Sequence, residues 1–545
     1  MENKLRKLNE YSEDIFYDTR EMERNKDSIA AKDEFGVQKV PADWRFGAWT
    51  GVQSWLGLST ALAYPLTGAL LTLSFGAVSV IIGFIIAMFL VGGGVYLSAL
   101  KASNEGIGKD LFSRGSYGYY GSLITTTFVG FYLVILFSLE TSVISNALHE
   151  YFPVVPFWTW VLVTIAILVP LGIYGMVWIA KIQSLTLYLY LIGLGLVFLG
   201  LYLGWSDLAN SAHASSWWTI NPNNVPITWL SVLEATGAWL GAFGFMNMMA
   251  PMDMNRLTRR SERKKSAILQ VILNGVVNSI LIGAMGIYFL AATNGANPDP
   301  GVTFVWVLGP VGMLLVFITQ LRGNVLNMYL GTLAFDNVVG QITKKKFLRS
   351  WLLVPFVFIA FIVVLSPFLD YYPTIATIAG VVFAAWVGSI YGESLIVRRL
   401  YKIPRVTEIR RGYLPNVNLI GFISLVTSIV IGLLSVAGFL GGFFKAVAVL
   451  FTLVLAFTLP IIVARSLGKD KVLHQYYGRL PSIPNTKEDT MTCFKTGETH
   501  HKSNFVQCPF YDNQWITSVA CASESQCGKM CQSQLGESTV KASTT

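Results

Sequence analysis

Long apolar stretches, each ending at a short polar connection, recur along the middle of the chain. A helix needs about 20 mostly apolar residues to cross roughly 30 Å of hydrocarbon. By that criterion the sequence predicts twelve membrane-spanning helices, named spans 1 to 12, at 46–70, 74–98, 121–147, 155–175, 183–204, 229–250, 268–292, 304–335, 350–368, 373–396, 416–438 and 445–464. The predicted fold class is an all-α polytopic membrane protein, with a twelve-helix domain over residues 43–465.

Basic residues are distributed unevenly among the connections. Lys and Arg are concentrated after the even-numbered spans, most densely over 256–265 and 398–411. The connections on the other side contain no Lys or Arg around 149–154, 205–228, 293–303 and 369–372. Because basic loops stay in the cytoplasm, this asymmetry predicts that both termini are cytoplasmic, in a plasma membrane or a bacterial inner membrane.

The composition excludes several classes of protein. Charged residues make up 13% of the 545 residues and hydrophobic residues 53%, whereas an ordinary soluble protein has about 25% charged residues. A cytosolic enzyme of this size is therefore excluded. The net charge of +9 is explained by the cytoplasmic loops, so the lipid bilayer is a predicted partner and nucleic acid is not.

The sequence has no recognisable catalytic constellation. It lacks a glycine-rich phosphate-binding loop ending in Lys-Ser or Lys-Thr, and its five histidines form no metalloenzyme helix motif. We therefore predict that the protein is not an enzyme and that it uses no cofactor and no metal.

Both ends of the chain are polar. Residues 1–42 are predicted to be a cytoplasmic N-terminal segment. Residues 466–545 form a polar tail that contains all five cysteines: Cys493, Cys508, Cys521, Cys527 and Cys531. No Cys-x-x-Cys pair occurs there, and stable disulfides are rare in the cytoplasm. A largely disordered tail with free thiols is favoured over a metal or redox site.

Spans 1 and 6 share a sequence that weakens helices. Residues 47–51 and 237–241 are both rich in glycine and small residues, and Pro65 and Pro251 follow them. Small residues also allow close packing of continuous helices, which is the alternative explanation. Transporters built from inverted repeats break the first helix of each repeat at mid-membrane. The coincidence predicts a five-plus-five inverted repeat with two extra helices, in which helices 1 and 6 are discontinuous.

Several short motifs occur in a fixed order along the chain. They are Trp49-Thr50-Gly51-Val52-Gln53, Ser113-Arg114-Gly115-Ser116-Tyr117-Gly118-Tyr119-Tyr120-Gly121, Asp253-Met254-Asn255-Arg256, Asn324-Val325-Leu326-Asn327-Met328-Tyr329, and Trp386-Val387-Gly388 followed by Tyr391 and Arg398-Arg399. In order and placement these motifs resemble the nucleobase–cation symporter-1 family of purine, cytosine, uracil, allantoin and hydantoin permeases. The resemblance extends over roughly residues 40–465.

The resemblance implies a divergent permease with a leucine-transporter-like fold. Its small-molecule substrate would be a nucleobase or a related nitrogen heterocycle, bound by spans 1, 3, 6 and 8. Aromatic faces stack on such a ring, and amides pair with the donors and acceptors at its edge. The residues at the matching positions are Gln53, Phe131, Tyr132, Trp239, Phe243, Asn247, Asn324 and Asn327.

One hydrogen-bonding residue of the family is missing from span 3. Where the family has a Trp and, one turn later, a Gln or Asn, this chain has Phe131 and Ile135. The substrate is therefore expected to be atypical, either a less polar ring or a small solute that is not a nucleobase. Two other functions remain open: an amino-acid or amine carrier of the same fold, and a non-transporting receptor.

Span 8 also departs from the sodium-coupled members of the family, which bind the ion between span 1 and hydroxyl residues of span 8. By alignment those positions fall on Leu321 and Arg322. An arginine inside a bilayer span costs about 2.5 kcal/mol or more and must face protein or water. Its guanidinium is therefore a candidate for the place of the sodium ion. We predict coupling to protons, to exchange or to no ion, rather than to sodium.

Glu140 in span 3 is the predicted proton carrier, and the alternative is a purely structural ion pair between Glu140 and Arg322. Glu234 and Glu393 lie nearer the ends of their spans and are expected to face water. The predicted coupling site consists of Arg322 and Glu140 together with two hydroxyl residues at the weak point of span 1, Ser59 and Thr60.

Overall fold

The structure is a computed structural model, and it describes residues 39–41, 44–173, 176–343, 349–477, 481, 484, 488, 490–522 and 524. The predicted N-terminal segment lies almost entirely outside these residues, as do Cys527 and Cys531. Within the described residues, the helices follow the predicted spans in order.

The helices of spans 1 to 5 form the first half of the bundle. Span 1 consists of Ala48–Ser59 and Ala63–Phe75, and spans 2 to 5 are Ala77–Glu105, Leu123–Tyr151, Phe157–Ile173 and Met176–Leu203. The short helix Lys109–Tyr117 precedes span 3, and a 3-10 turn at Trp217–Thr219 follows span 5.

Where it is described, the second half contains three π segments. Span 6 comprises Trp229–Trp239, the π turn Leu240–Gly244 and Phe245–Met249. Span 7 comprises Arg263–Val271, the π segment Ile272–Ile282 and Gly283–Ala292. Span 8 comprises Pro300–Leu308 and Pro310–Thr343. Span 9 is Arg349–Leu365, span 10 is Tyr372–Tyr391 with the π segment Gly392–Val397 and Arg398–Leu400, span 11 is Leu419–Val436, and span 12 is Ala448–Leu467. Short helices lie at Met252–Asn255, Arg260–Glu262, Gly442–Ala446 and Lys469–Tyr476.

Many of these helices have the length and composition of membrane spans. Seven helical stretches in the described part of the chain are long and apolar enough to cross a membrane: Ala77–Glu105, Leu123–Tyr151, Arg260–Ala292, Pro310–Thr343, Tyr372–Leu400, Leu419–Val436 and Ala448–Leu467. Shorter apolar helices occupy the regions of spans 1, 4, 5 and 9.

Two glycines mark very close crossings between helices. A Cβ on Gly286 of span 7 would lie 1.8 Å from the Pro65 carbonyl oxygen of span 1. A Cβ on Gly241 of span 6 would lie 1.9 Å from the Ala376 carbonyl oxygen of span 10. Only glycine permits such backbone contact, and membrane helices use small residues in this way. Spans 1 and 6 are therefore in backbone contact with spans 7 and 10.

Span 1 is interrupted, whereas span 6 is not. The helix of span 1 ends at Ser59 and restarts at Ala63. Span 6 stays helical through Met249, with the π turn Leu240–Gly244 in its middle. The predicted discontinuity of helix 6 is therefore wrong. The glycine-rich stretch of span 6 forms a π turn, which keeps the helix continuous. Pro251 does not interrupt the helix because it follows the helix end at Met249.

The tail contains a folded module over residues 490–522, called the tail module. Thr490–Thr492 (β1) pairs with Thr499–His501 (β2), and Phe505–Cys508 (β3) pairs with Gln514–Thr517 (β4), both antiparallel. The prediction of a largely disordered tail is wrong for these residues. The Ser-, Thr- and Lys-rich composition of the tail as a whole masks the short apolar runs in β3 and β4.

The tail module packs against the connection that follows span 10. Arg410 Nη1 donates to the Phe505 carbonyl oxygen at 3.0 Å, and Arg411 Nη1 donates to the Cys521 carbonyl oxygen at 3.2 Å. Tyr413 of this connection shares a hydrophobic cluster with three buried cysteines of the module, none of which forms a disulfide among the described residues: Cys493, Cys508 and Cys521. No group of three His, Cys, Asp or Glu that could hold a metal occurs among the described residues.

Candidate functional site

The interruption of span 1 is buried and is held by span 8. Residues 59–62 are each at most 6% exposed. The backbone N–H of Leu62 donates to Oε1 of Gln320 in span 8 at 2.8 Å. Unsatisfied backbone groups are costly at membrane depth, so this glutamine stabilises the interruption.

The two hydroxyl residues predicted for the coupling site lie at the interruption. Ser59 Oγ donates to the Trp55 carbonyl oxygen at 3.4 Å, and Thr60 Oγ1 donates to the Leu56 carbonyl oxygen at 3.3 Å. In this conformation both hydroxyls therefore stabilise the last turn of the helix that ends there.

An aromatic cluster follows the interruption directly. The ring of Tyr64 in span 1 stacks on Phe243 of span 6, with centroids 3.9 Å apart and an interplanar angle of 22°. Trp239 lies 5.6 Å from Phe243 and 4.4 Å from Phe84 of span 2, between ring centroids. The Tyr64 hydroxyl donates to Asn247 Oδ1 at 3.1 Å. Three predicted binding residues of span 6 are thus brought together beside the interruption.

Tyr132 contacts span 6 next to this cluster, whereas Phe131 does not. The Tyr132 hydroxyl donates to the Ala242 carbonyl oxygen of span 6. Phe131 is 51% exposed and packs edge to face on Phe335, with centroids 5.2 Å apart. Consecutive residues of an α-helix point about 100° apart, so only one of the two faces span 6. Phe131 lies on the outside of span 3.

Gln53 is also not brought to the cluster. It is exposed on the first helix of span 1, whereas Trp55 on that helix is buried and donates through Nε1 to Asn274 Oδ1 of span 7 at 2.7 Å. Asn274 belongs to a row of buried amides along span 7 that includes Gln270 and Asn278. Span 7, which the sequence resemblance did not implicate, therefore holds the first helix of span 1.

Spans 3 and 8 are joined by enclosed polar side chains. Asn327 Nδ2 donates to Glu140 Oε1 at 2.9 Å, and Asn324 Nδ2 donates to Thr141 Oγ1 at 2.8 Å. All four residues are at most 2% exposed. The two asparagines predicted to contact substrate therefore form hydrogen bonds between helices in this conformation.

Three acceptor atoms in this contact receive no hydrogen bond from the described residues. Glu140 Oε2, Asn324 Oδ1 and Asn327 Oδ1 are buried and have no hydrogen-bond partner among the described residues. Gly323 fits closely against the carboxylate, since a Cβ there would lie 2.6 Å from Glu140 Oε2. An ionised oxygen without a partner is costly in an apolar interior, whereas a protonated carboxyl gains a donor. The contact is therefore suited to taking up a proton.

Arg322 is buried next to this contact. It is 1% exposed, and its Cζ lies 5.8 Å from the ring centroid of Tyr190 in span 5. It interacts electrostatically with Glu140, but none of the ion pairs among the described residues joins the two. The alternative of a direct structural ion pair between Glu140 and Arg322 is therefore not what the structure has, because Asn327 is the residue that contacts the carboxylate.

Two family-like motifs contact each other near the connection that binds the tail module. Glu393 of span 10 accepts from Ser116 Oγ at 2.7 Å and pairs with Arg398 Nε at 2.7 Å. Trp386 Nε1 donates to Ser113 Oγ at 3.0 Å. Glu393 was expected to face water but is fully buried, because the helix that carries Ser116 packs over it.

The motif after span 6 also forms a contact between helices. Asp253 accepts from the backbone N–H of Lys109 at 3.2 Å and pairs with its ammonium group. Although burial disfavours the charged ammonium, the carboxylates of Asp110 and Asp253 raise the pKa of Lys109 above its ordinary value. This cluster fixes the start of the helix Lys109–Tyr117 to the end of span 6.

Gln320 and Tyr64 are residues of the site that sequence reasoning missed. A polar residue inside an apolar span is a functional signal in itself, and that rule applied outside the motifs selects Gln320. Nothing in the sequence separates Tyr64 from the other tyrosines, because its importance comes from its position after the interruption.

Comparisons with protein-family profiles and with curated proteins find no match. Solved structures are similar. Mhp1, a nucleobase-cation-symport-1 family transporter, in a closed conformation with bromovinylhydantoin bound, has a TM-score of 0.58 and 15% identity over 81% of this chain and 98% of that chain. The inward-facing conformation of Mhp1 has a TM-score of 0.59 and 16% identity over 81% of this chain and 96% of that chain. The substrate-bound outward-open state of a Na+-coupled sialic acid symporter has a TM-score of 0.53 and 13% identity over 79% of this chain and 95% of that chain.

These similarities concern the fold. All three structures are of membrane transporters, and the alignments include nearly their whole length. The predicted resemblance is confirmed at this level: the chain is a multi-pass membrane protein with the fold of the nucleobase-cation-symport-1 transporter Mhp1.

Proposed function

We propose that this chain is a secondary transporter and a divergent member of the nucleobase–cation symporter-1 family. It moves a nucleobase or a related small nitrogen heterocycle by alternating access. Its twelve helices follow a five-plus-five inverted-repeat plan with two extra helices, and both termini are cytoplasmic. The observation that carries this proposal is the buried interruption of span 1, satisfied by Gln320 and followed directly by stacked aromatic rings and an amide.

Two features of the interruption support a ligand site. Non-helical backbone at membrane depth is tolerated only where it is buried in protein or lines a cavity. Transporters with inverted repeats place their substrate beside such backbone. The similarity in fold to three transporter structures agrees with this interpretation.

The proposed substrate site is the aromatic cluster with Asn247. Tyr64 and Phe243 are in face-to-face contact here, so a substrate ring separates them and stacks on both. Asn247 exchanges its bond with the Tyr64 hydroxyl for a donor and an acceptor at the substrate edge. Gln53 and Phe131 are left out of the site, because both are exposed away from it.

The proposed coupling site is Glu140 with Asn327. Uptake of a proton at Glu140 neutralises a buried charge whose second oxygen has no partner among the described residues. Leu321 and Arg322 lie where sodium-coupled family members have their span 8 hydroxyl residues. Both features support coupling to protons, to exchange or to no ion, rather than to sodium.

Uptake into proteoliposomes containing the full-length chain tests the proposal. Labelled uracil, cytosine, allantoin and hydantoin are compared with a panel of amino acids. We expect at least one heterocycle to accumulate, Asn247→Leu and Phe243→Ala to abolish its uptake, and the matched aromatic control Phe131→Ala to retain it. Accumulation of amino acids alone would establish the amino-acid or amine carrier, and binding without accumulation a receptor.

Ion replacement tests the coupling separately. Replacement of sodium by choline is expected to leave uptake unchanged, whereas collapse of an inward proton gradient is expected to reduce it if Glu140 couples. A strong loss of uptake in choline would refute sodium independence without affecting the assignment of the substrate site.

A further inference from the structure

A cavity lies at the end of the bundle opposite the tail module. Its volume is about 400 Å³, and it is lined by residues of spans 1, 6, 10, 11 and 12. Small-molecule sites typically measure about 300–1,000 Å³. The cavity is therefore large enough for a small molecule.

Close helix contacts separate this cavity from the aromatic cluster. Gly237 of span 6 lines the cavity, and a Cβ there would meet Val449 of span 12 at 3.1 Å. One turn further along span 6, Gly241 is in backbone contact with Ala376 of span 10. Spans 6, 10 and 12 thus close the inner end of the cavity, which makes it distinct from the proposed substrate site.

Two opposite charges line the cavity. Glu234 belongs to span 6 and is partly buried, and Lys445 belongs to the short helix before span 12 and is exposed. Lys445 acts electrostatically on Glu234. Neither residue forms an ion pair within the part of the chain that the structure describes. The cavity therefore presents an anion and a cation that are close but not joined.

Membrane topology does not explain Lys445. The connections at this end of the bundle contain no other Lys or Arg around 149–154, 205–228, 293–303 and 369–372, in agreement with retention of positive charge in the cytoplasm. Lys445 is therefore an exception to the distribution of basic residues along the chain. It lines the same cavity as a carboxylate in the first half of span 6. A ligand that carries both complementary charges accounts for both residues.

We propose that this cavity is a second small-molecule site and that it binds a zwitterion. The ammonium group of the ligand pairs with Glu234, and its anionic group pairs with Lys445. The hydroxyls of Ser74, Thr374 and Thr377 also line the cavity and supply further hydrogen bonds to the ligand. A free amino acid and the headgroup of phosphatidylethanolamine both have this pair of charges.

Isothermal titration calorimetry on the purified full-length protein in detergent tests the site. The probes are glycine, γ-aminobutyrate, leucine and glycerophosphoethanolamine. We expect at least one of them to bind, and Glu234→Gln and Lys445→Gln each to weaken that binding about tenfold or more, since each removes a charge-assisted hydrogen bond. Asp370→Asn removes an exposed carboxylate at the same end and is expected to leave binding unchanged.

A reversed pair controls for misfolding of the single variants. Glu234→Lys combined with Lys445→Glu is expected to restore binding, because a zwitterion can bind in the opposite orientation. Leucinamide keeps the ammonium group but lacks the carboxylate, so it is expected not to bind.

The probes also distinguish the source of the ligand. Binding of an amino acid identifies a free solute, whereas binding of glycerophosphoethanolamine alone identifies a lipid headgroup. Failure of all four probes to bind the wild type, or binding that both glutamine variants leave unchanged, overturns the proposal. Because the variants change residues of this cavity and the readout is binding, either result is independent of the proposed transport.

Discussion

Two buried glutamates, Glu140 in span 3 and Glu393 in span 10, have very different surroundings. Both oxygens of Glu393 are satisfied, one by Arg398 and the other by Ser116. Glu140 has Asn327 on one oxygen, and its other oxygen has no partner among the described residues. A cation and full hydrogen bonding keep a carboxylate ionised, whereas a half-satisfied carboxylate is suited to exchanging a proton. In this fold, complete pairing marks a structural charge, and incomplete pairing marks a candidate for function.

Removing the Glu393 charge is expected to have the largest effect. Glu393→Gln leaves Arg398 buried without its counter-ion, which costs about 3–5 kcal/mol. The unfolding temperature of the purified protein in detergent is expected to fall strongly. The double variant Glu393→Leu with Arg398→Met removes both charges and is expected to regain much of the loss. A single variant as stable as the wild type contradicts the structural role of the pair.

Gln320 tests whether complete hydrogen bonding also marks an uncharged group as structural. Gln320→Leu leaves the Leu62 N–H without its acceptor, and an unsatisfied buried donor costs about 1–3 kcal/mol. Gln320→Glu keeps an oxygen at that position and is expected to lose less. Thermal unfolding of the two variants side by side measures the difference, and equal losses would show that the hydrogen bond to span 1 is not responsible.

Gly323→Ala displaces the Glu140 carboxylate without changing any charge. The new Cβ would lie 2.6 Å from Glu140 Oε2, and overpacking of this kind costs about 1–3 kcal/mol. Uptake is expected to fall as well, because the contact between Glu140 and Asn327 is disturbed. Gly195→Ala in span 5 is the matched control, since its added Cβ meets no atom within 4 Å. Equal uptake in the two variants would show that transport does not depend on the position of the Glu140 carboxylate.

Neutralising Glu140 is expected to alter coupling more than stability. Glu140→Gln keeps an oxygen for Asn327 and removes a carboxylate whose second oxygen has no partner among the described residues, so the free energy of unfolding changes by less than about 1 kcal/mol. Initial uptake rates are expected to depend on pH in the wild type and to lose that dependence in the variant. Glu150→Gln, which is exposed further along the same span, controls for a general loss of charge. A variant that keeps its full pH dependence removes Glu140 from this role.

Asp299, in the connection before span 8, is a further buried carboxylate, and its expected effect is a change of stability with pH. Burial raises its pKa from 3.8 to about 6, and the hydrogen bonds from Asn146 and the Gly301 N–H oppose this shift only in part. The folded state thus keeps a proton that the unfolded chain releases, so stability falls as pH rises from about 4 to about 6. Asp299→Asn is expected to remove this part of the curve when thermal unfolding is followed against pH. If the stability of the wild type relative to the variant rose between about pH 4 and about pH 6, the assignment of this pH dependence to Asp299 would be contradicted.

The candidate site was predictable in part. Trp239, Phe243 and Asn247 of span 6 lie beside the interruption of span 1, as the resemblance implied for a common site. Phe131 and Gln53 do not, because a helix that is apolar on all sides gives no periodic signal of which face is turned inward. Choosing between Phe131 and its neighbour Tyr132 required the packing against span 6.

The sequence by itself determined the apolar segments, their order, and the weak point of span 1, because burial in lipid requires long apolar runs and small residues weaken a helix. Only the tertiary structure decided that span 6 bends through a π turn instead of breaking, that Glu393 is buried under the helix containing Ser116, and that the tail module folds against the connection after span 10. Each of these depends on contacts between segments far apart in the chain. Those contacts leave no local pattern in the sequence. Whether a polar side chain can be buried depends on its hydrogen-bond partner and not on its own polarity.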